Sequence, residues 1–270
     1  GDSTLLFWED KRFGNQNIDG IDLSTSYVLA EIINSSFGES GTENGESLST
    51  TPIQIKPSVY QLDNGYMYNF IGDDQGENVL TTQQLDSQLL PTSESSILVD
   101  GTPYANQKEF VNAYDIDGNI YTIYAKEYFD ASRIMLQIYN VEGQSQLSAP
   151  IQIVSNSDGN KYPRAAFQNP GGGVILVFDK DGIDIQVLGI NSEGITWDQP
   201  ISIIEDTDGQ SFQDAVLTSD GVFITWKDLR GVDADIYAQH INFEGSALSS
   251  SPNGIVLVNA VNDQSGSNVS

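Results

Sequence analysis

An all-β fold of repeated four-stranded antiparallel units is what this sequence predicts, and three observations carry the prediction. First, a strand-like segment closed by Asn or Asp returns five times: VLAEIIN ending at Asn34, LTTQQLD at Asp86, IMLQIYN at Asn140, IQVLGIN at Asn191 and IYAQHIN at Asn242. The anchors are spaced by 52, 54, 51 and 51 residues, a period that marks an internal repeat. Second, each copy follows an apolar run with an aromatic near its end, at Trp8, Phe70, Tyr124, Phe178 and Trp226. Third, Asn64-Gly65, Asp117-Gly118, Pro170-Gly171 and Asp220-Gly221 precede these runs and are hairpin residues. No amphipathic helical pattern interrupts the series.

Taken in order, each repeat supplies four strands, here lettered a to d. Strand a is PSVYQL, EFVNAY, PRAAF or QDAVL; strand b is TLLFWED, YMYNFIG, IYTIYAK, VILVFDK or VFITWKD. Strand c is the anchored segment, apolar six residues before the anchor (Val28, Leu80, Ile134, Ile185, Ile236) and one before it (Ile33, Leu85, Tyr139, Ile190, Ile241). Strand d is PIQI, SILV, PIQI, PISI or GIVLV. Four-stranded units at this period predict a β-propeller, one domain over 1–270 with repeats at 1–55, 56–104, 105–158, 159–208 and 209–270. The chain opens on a b strand and ends in SGSNVS, which reads as the missing a strand. The expectation is therefore five four-stranded blades closed by strands from both termini.

The last repeat reads W-x-D-x-R…D-I-Y-A-Q-x-I-N-x-x-G across Trp226–Gly245, and the first keeps Trp8, Asp10 and Arg12. This wording resembles propeller repeats of large secreted and cell-surface bacterial proteins. NSEGITW at 191–197 resembles a degenerate Asp-box of sialidase-like propellers, with Gly194, Thr196 and Trp197 matching and Ser192 in place of the Asp. The resemblance implies a surface-exposed repeat protein and leaves its activity open, because a fold does not fix a function.

Charge narrows the partners. Acidic residues outnumber basic ones 38 to 11, a formal charge of −27, which repels phosphate backbones and anionic membranes and argues against nucleic-acid partners. No apolar run reaches the ~18 residues of a spanning helix, so membrane insertion is not expected. The absence of cysteine excludes disulfides, thiolate metal sites and cysteine nucleophiles. Richness in Asn, Asp, Ser, Gly and Thr, and an opening Gly1 in place of Met, read as an extracellular, processed chain or a piece of a larger chain or assembly.

Candidate chemistry is sparse. A sialidase site needs three arginines, and of Arg12, Arg133, Arg164 and Arg230 only Arg164 lies on an a strand. Arg164, Arg12 and Arg230 are the candidate ligand contacts, although Asp228 and Arg230 also read as a turn ion pair. Glu109 and Asp214, both on a strands, are the candidate carboxylate pair of a glycosidase. The lone His240 reads as an ordinary strand residue. Closely spaced Asp residues in the turns, namely Asp179, Asp181 and Asp184, Asp206 and Asp208, and Asp233 and Asp235, could supply the hard oxygens of a structural Ca2+ site; ordinary turn chemistry, with no cofactor, is the preferred reading. The reading is a non-catalytic secreted or cell-surface propeller that binds a glycan or protein partner through one acidic face. The alternatives are a polysaccharide-active enzyme using Glu109 and Asp214, and a structural spacer in a large adhesin. The long insertions of the first repeat, at 10–27 and 37–51, are the expected seat of partner specificity.

Overall fold

The computed structural model describes residues 3–10, 16–18, 21–23, 27–34, 46–47, 55–74, 77–92, 97–98, 109–128, 131–155, 157, 159–204, 209–249, 251 and 253–270. Every regular element among them is a β-strand. The chain divides into two compact units, Gly1–Lys108 with Val141–Gln144, and Glu109–Asn140 with Ser145–Ser270.

In the first unit, β1 (Ser3–Asp10), β4 (Tyr27–Asn34) and β5 (Glu46–Ser47) form a three-stranded sheet. Between them, β2 (Gln16–Ile18) and β3 (Ile21–Leu23) pair as a hairpin inside the stretch expected to be an irregular insertion. The sequence between them, Asp19-Gly20, is a hairpin signal in its own right. β5 pairs with β4, and Ile55 opens β6; the rest of the strand expected at PIQI, residues 52–54, lies outside the described residues. A second sheet runs β6 (Ile55–Leu62), β7 (Gly65–Asp74), β8 (Glu77–Leu85) and β9 (Ile97–Leu98), with Tyr68, Phe70, Leu85 and Leu89 as its buried cluster.

The second unit holds three sheets of the same order. They are β10 (Phe110–Tyr114), β11 (Ile120–Tyr128), β12 (Ala131–Tyr139) and β13 (Ile151–Val154); then β14 (Lys161–Gln168), β15 (Val174–Lys180) and β16 (Asp184–Asn191), with β17 (Gly194–Ile195) and β18 (Ile201–Ser202) both on β16; and finally β19 (Gln210–Leu217), β20 (Gly221–Asp228), β21 (Asp235–Asn242) and β22 (Ile255–Val258). All pairings are antiparallel.

The middle sheet packs on both neighbours. Val174, Leu176 and Phe178 of β15 face a core shared with Ile123, Ile134 and Leu136, while Ile175 and Val177 face one shared with Val222, Ile224 and Trp226. A strand covered on both faces must be apolar at every position, which is why the b strands read as unbroken runs. The same double burial explains the two fixed apolar positions of strand c. They lie five residues apart, on opposite faces, and all four described copies of each are at most 3% exposed.

The repeating anchor also has a physical cause. Asp86 Oδ1 accepts the N–H groups of Gln88 (2.8 Å) and Leu90 (2.9 Å); Asn191 Oδ1 accepts Glu193 N–H (2.9 Å). Asn242 Oδ1 accepts Glu244 N–H (3.1 Å) and Ser246 N–H (2.7 Å). Each anchor therefore caps the turn that follows it. Three residues on, the backbone is left-handed at Leu89 (φ 67), Gly143 (φ 77), Gly194 (φ 125) and Gly245 (φ 88). Glycine adopts this freely, and Leu89 holds it by being buried at 4% exposure. Asn242→Ala is expected to cost about 1–2 kcal/mol in urea denaturation; Asn242→Asp, which reproduces Asp86, is expected to be nearly neutral.

The expected closing strand does not form. Residues 259–270 belong to no strand. Gly266 N–H donates to Gln213 Oε1 and Val269 N–H to Asp214 Oδ2, each at 2.8 Å, so side chains of β19 take the amides that a ladder would use. A Ser/Gly/Asn-rich segment has little β-propensity to oppose this.

Candidate functional site

The sequence-predicted residues Glu109, Arg164 and Asp179 come together in the second unit. Arg164 is the extra residue of a bulge in β14, where the register against β15 slips between Pro163 and Ala165. A bulge re-aims the side chain it carries. Arg164 Nε donates to Asp179 Oδ2, and the guanidinium carbon lies 5.8 Å from the Tyr162 ring centroid. Asp179 Oδ1 accepts Gly182 N–H at 3.0 Å. The Asp179 side chain is 3% exposed and that of Arg164 31%. Asp179 is thus a buried hinge for a half-exposed guanidinium whose remaining N–H groups, all on the Nη atoms, have no partner among the described residues.

Burial drives the Asp179 carboxyl above its ordinary value, the hydrogen bond and charge of Arg164 and the Gly182 amide pull it back, and repulsion from Glu109 adds to the rise. Glu109 immediately precedes β10 and is half-buried. The cluster therefore offers one oriented cation, one nearby carboxylate and an aromatic ring. Sugar hydroxyls both donate and accept, and this set answers both needs.

The other candidates are spent elsewhere. Asp214 Oδ1 accepts Ala215 N–H (2.9 Å) and its Oδ2 accepts Val269 N–H (2.8 Å), so this carboxylate holds backbone. Arg230 is bound within its own turn. Its Nε donates to Asp228 Oδ1 (2.9 Å), its Nη2 to Asp228 Oδ2 (2.5 Å), and its guanidinium lies 4.0 Å from the Tyr237 ring centroid. Trp226 Nε1 also donates to Asp228 Oδ2, at 2.8 Å. Burial pushes the fully buried Asp228 up, but these donors outweigh it and hold the carboxyl below its ordinary value. The W-x-D-x-R wording is therefore a closed structural knot.

Among the turn carboxylates, Asp181 Oδ1 accepts Asn160 N–H (2.8 Å) and Asp233 Oδ2 accepts Asn262 N–H (3.0 Å). Asp184 opens β16 opposite Lys180, and Asp235 is buried opposite Asp228. Asp115, in DIDGN, accepts Asp117 N–H and Asn119 N–H, both at 2.9 Å. Among the described residues no group of three acidic or histidine side chains could hold a metal ion. Arg12, Asp206 and Asp208 lie outside the described residues. His240 Nε2 meets Thr218 Oγ1 at 2.8 Å in an ordinary strand setting.

Sequence reasoning placed Asp179 among metal ligands and missed its role as the residue that positions Arg164. The Pro-Arg pair at 163–164, a proline at the point where a strand bulges, was the available signal.

No known family model and no curated protein matches the chain. Solved structures do. An ulvan lyase from a new family of polysaccharide lyases, bound to -[GlcA(1-4)Rha3S]-, superposes at a TM-score of 0.57 with 9% identity over 94% of this chain and 66% of that one. A protein of unknown function from Dyadobacter fermentans gives 0.53 with 14% identity over 90% and 76%. A subtype N10 neuraminidase-like protein of a little yellow-shouldered bat isolate gives 0.47 with 9% identity over 72% and 58%. The chain thus spans less than two thirds of the length of the first and last of these. The likeness is one of all-β fold.

Proposed function

We propose that this chain is a non-catalytic glycan-binding module of a secreted or cell-surface protein, its sheets arranged as the blades of a five-bladed propeller. The observation that carries the reading is Arg164, fixed by a buried carboxylate, with a side chain 31% exposed near Glu109 and Tyr162. Hydroxyl-rich saccharides match such a mixed set. An anionic partner is disfavoured by the two carboxylates around the cation. The ulvan lyase of similar fold is bound to a saccharide that is uronic and sulfated, so it supports carbohydrate as the ligand class while the neutral character rests on the carboxylates around Arg164 alone.

A second reading, a glycoside hydrolase, is favoured by one feature: a raised carboxyl at Asp179 next to Glu109. Against it, both Asp179 oxygens are occupied and the side chain is closed to solvent. The test is retention on immobilised neutral polysaccharides. Arg164→Ala is expected to weaken retention about tenfold or more, and Arg164→Lys nearly as much, because Lys cannot keep the Nε contact while presenting a second donor pair. Unchanged retention in both variants would refute the assignment of this site.

A further inference from the structure

We infer that the cleft between the β14–β15 turn and the turn after β21 is a separate saccharide site that receives the apolar face of a neutral pyranose ring. The cleft is a shallow, open depression of about 570 Å³, lined by Gly171 and Gly172 on one turn, Thr196 and Trp197 beyond β17, and Phe243 and Glu244 on the other turn. That volume lies within the range of small-ligand sites. It is distinct from the Arg164 cluster, because Asn169 lies five residues further along the strand, about 16 Å at ~3.3 Å per residue.

Trp197 is half-exposed although it packs on both cores of the unit. Two glycines hold it there. A Cβ on Gly189 would come within 2.6 Å of Nε1, and one on Gly245 within 3.2 Å of Cζ3, so the indole seats against bare backbone at two points. Phe243 adds a second half-buried ring. An aromatic surface of this kind packs against the C–H face of a sugar.

The polar groups complete the match. Thr196 and Glu244 are exposed residues of the lining; the Glu244 carboxylate can serve ring hydroxyls, and Thr196 Oγ1 lies against the Gly189 backbone beside the indole. Among the described residues no cation lines the cleft, so a neutral sugar suits it better than a uronate or sulfated one. The walls are tied before any ligand arrives: Asn169 Nδ2 donates to the Phe243 carbonyl (3.3 Å), while its Oδ1 accepts Gly171 N–H (2.9 Å). Such preorganisation lowers the entropic cost of binding.

The experiment is oxidation of the intact chain by N-bromosuccinimide with peptide mass mapping, alone and with cellohexaose, mannohexaose, galactohexaose or a galacturonate hexasaccharide. At least one neutral hexasaccharide is expected to slow oxidation of Trp197 by about fivefold, and the galacturonate is expected not to. Buried Trp226 serves as the internal reference. Thr196→Val/Glu244→Gln, both exposed positions, is expected to remove most of this protection at an unchanged melting temperature. Arg164→Lys, which keeps a cation beside Asp179, is expected to leave it intact at an unchanged melting temperature, so that failure of the Arg164 site and failure of this one are told apart. Absence of protection by every neutral hexasaccharide at ~10 mM, or protection undiminished in the double variant, would overturn the inference.

Discussion

Asp228→Ala is expected to destabilise the chain by about 3–5 kcal/mol, the largest single-site loss outside the apolar core. The substitution removes the acceptor shared by Trp226 Nε1, Arg230 Nε and Arg230 Nη2, and leaves a guanidinium only 18% exposed without its partner. The stacked pair of Trp226 and Tyr237, 6.3 Å apart, loses the clamp that holds Arg230 over it. Asp228→Asn keeps the shape and loses the charge, so an intermediate cost is expected. The pH dependence has a definite sign. The native carboxyl is held below its unfolded value, so its contribution is complete above about pH 4 and is lost as pH falls through the native value. Urea titrations at pH 7 and pH 3 should show the gap between wild type and Asp228→Ala narrowing at the lower pH.

Arg164→Ala carries the second large effect, with the opposite pH behaviour on the carboxylate it leaves behind. Asp179 is buried, and removing its cation removes both the hydrogen bond and the charge that oppose desolvation. A loss of about 3 kcal/mol or more at pH 7 is expected for a broken buried pair. The native Asp179 carboxyl is already raised and rises further in the variant. A raised group contributes stability that is full below the unfolded value and is lost as pH rises through the native one. The variant should therefore recover toward wild type near pH 4. Asp179→Asn should cost less than Arg164→Ala at pH 7, because it also discards the charge that burial penalises. The reverse order would show that the Asp179 carboxylate is held chiefly by donors other than Arg164.

Much of this architecture was legible because the signals repeat. The Asn or Asp anchor is visible five times and caps its turn in each copy whose bonds are described. Leu80, Ile134, Ile185 and Ile236 could be read as core from register alone. Features that occur once were lost. The Asp19-Gly20 hairpin was absorbed into an insertion, and SGSNVS was assigned to a strand by topology although its composition resists one. Asp214 and Arg230 looked available because a sequence shows residue types and hides their partners: Val269 N–H for the first, Asp228 and Tyr237 for the second. Glu109, Arg164 and Asp179 were each singled out, but in three different roles. Only the pairing of β14 with β15 and the neighbouring β10 makes them one cluster.

A module that holds a saccharide without cleaving it is retained on the polymer and releases nothing from it. The most direct test is incubation of the purified chain with neutral polysaccharides, reading the retained protein and the released products by mass spectrometry in the same samples. Retention that depends on Arg164 is expected, with no products above a protein-free control. Products that appear with the chain and vanish in Glu109→Gln would contradict it and make the cluster an active site.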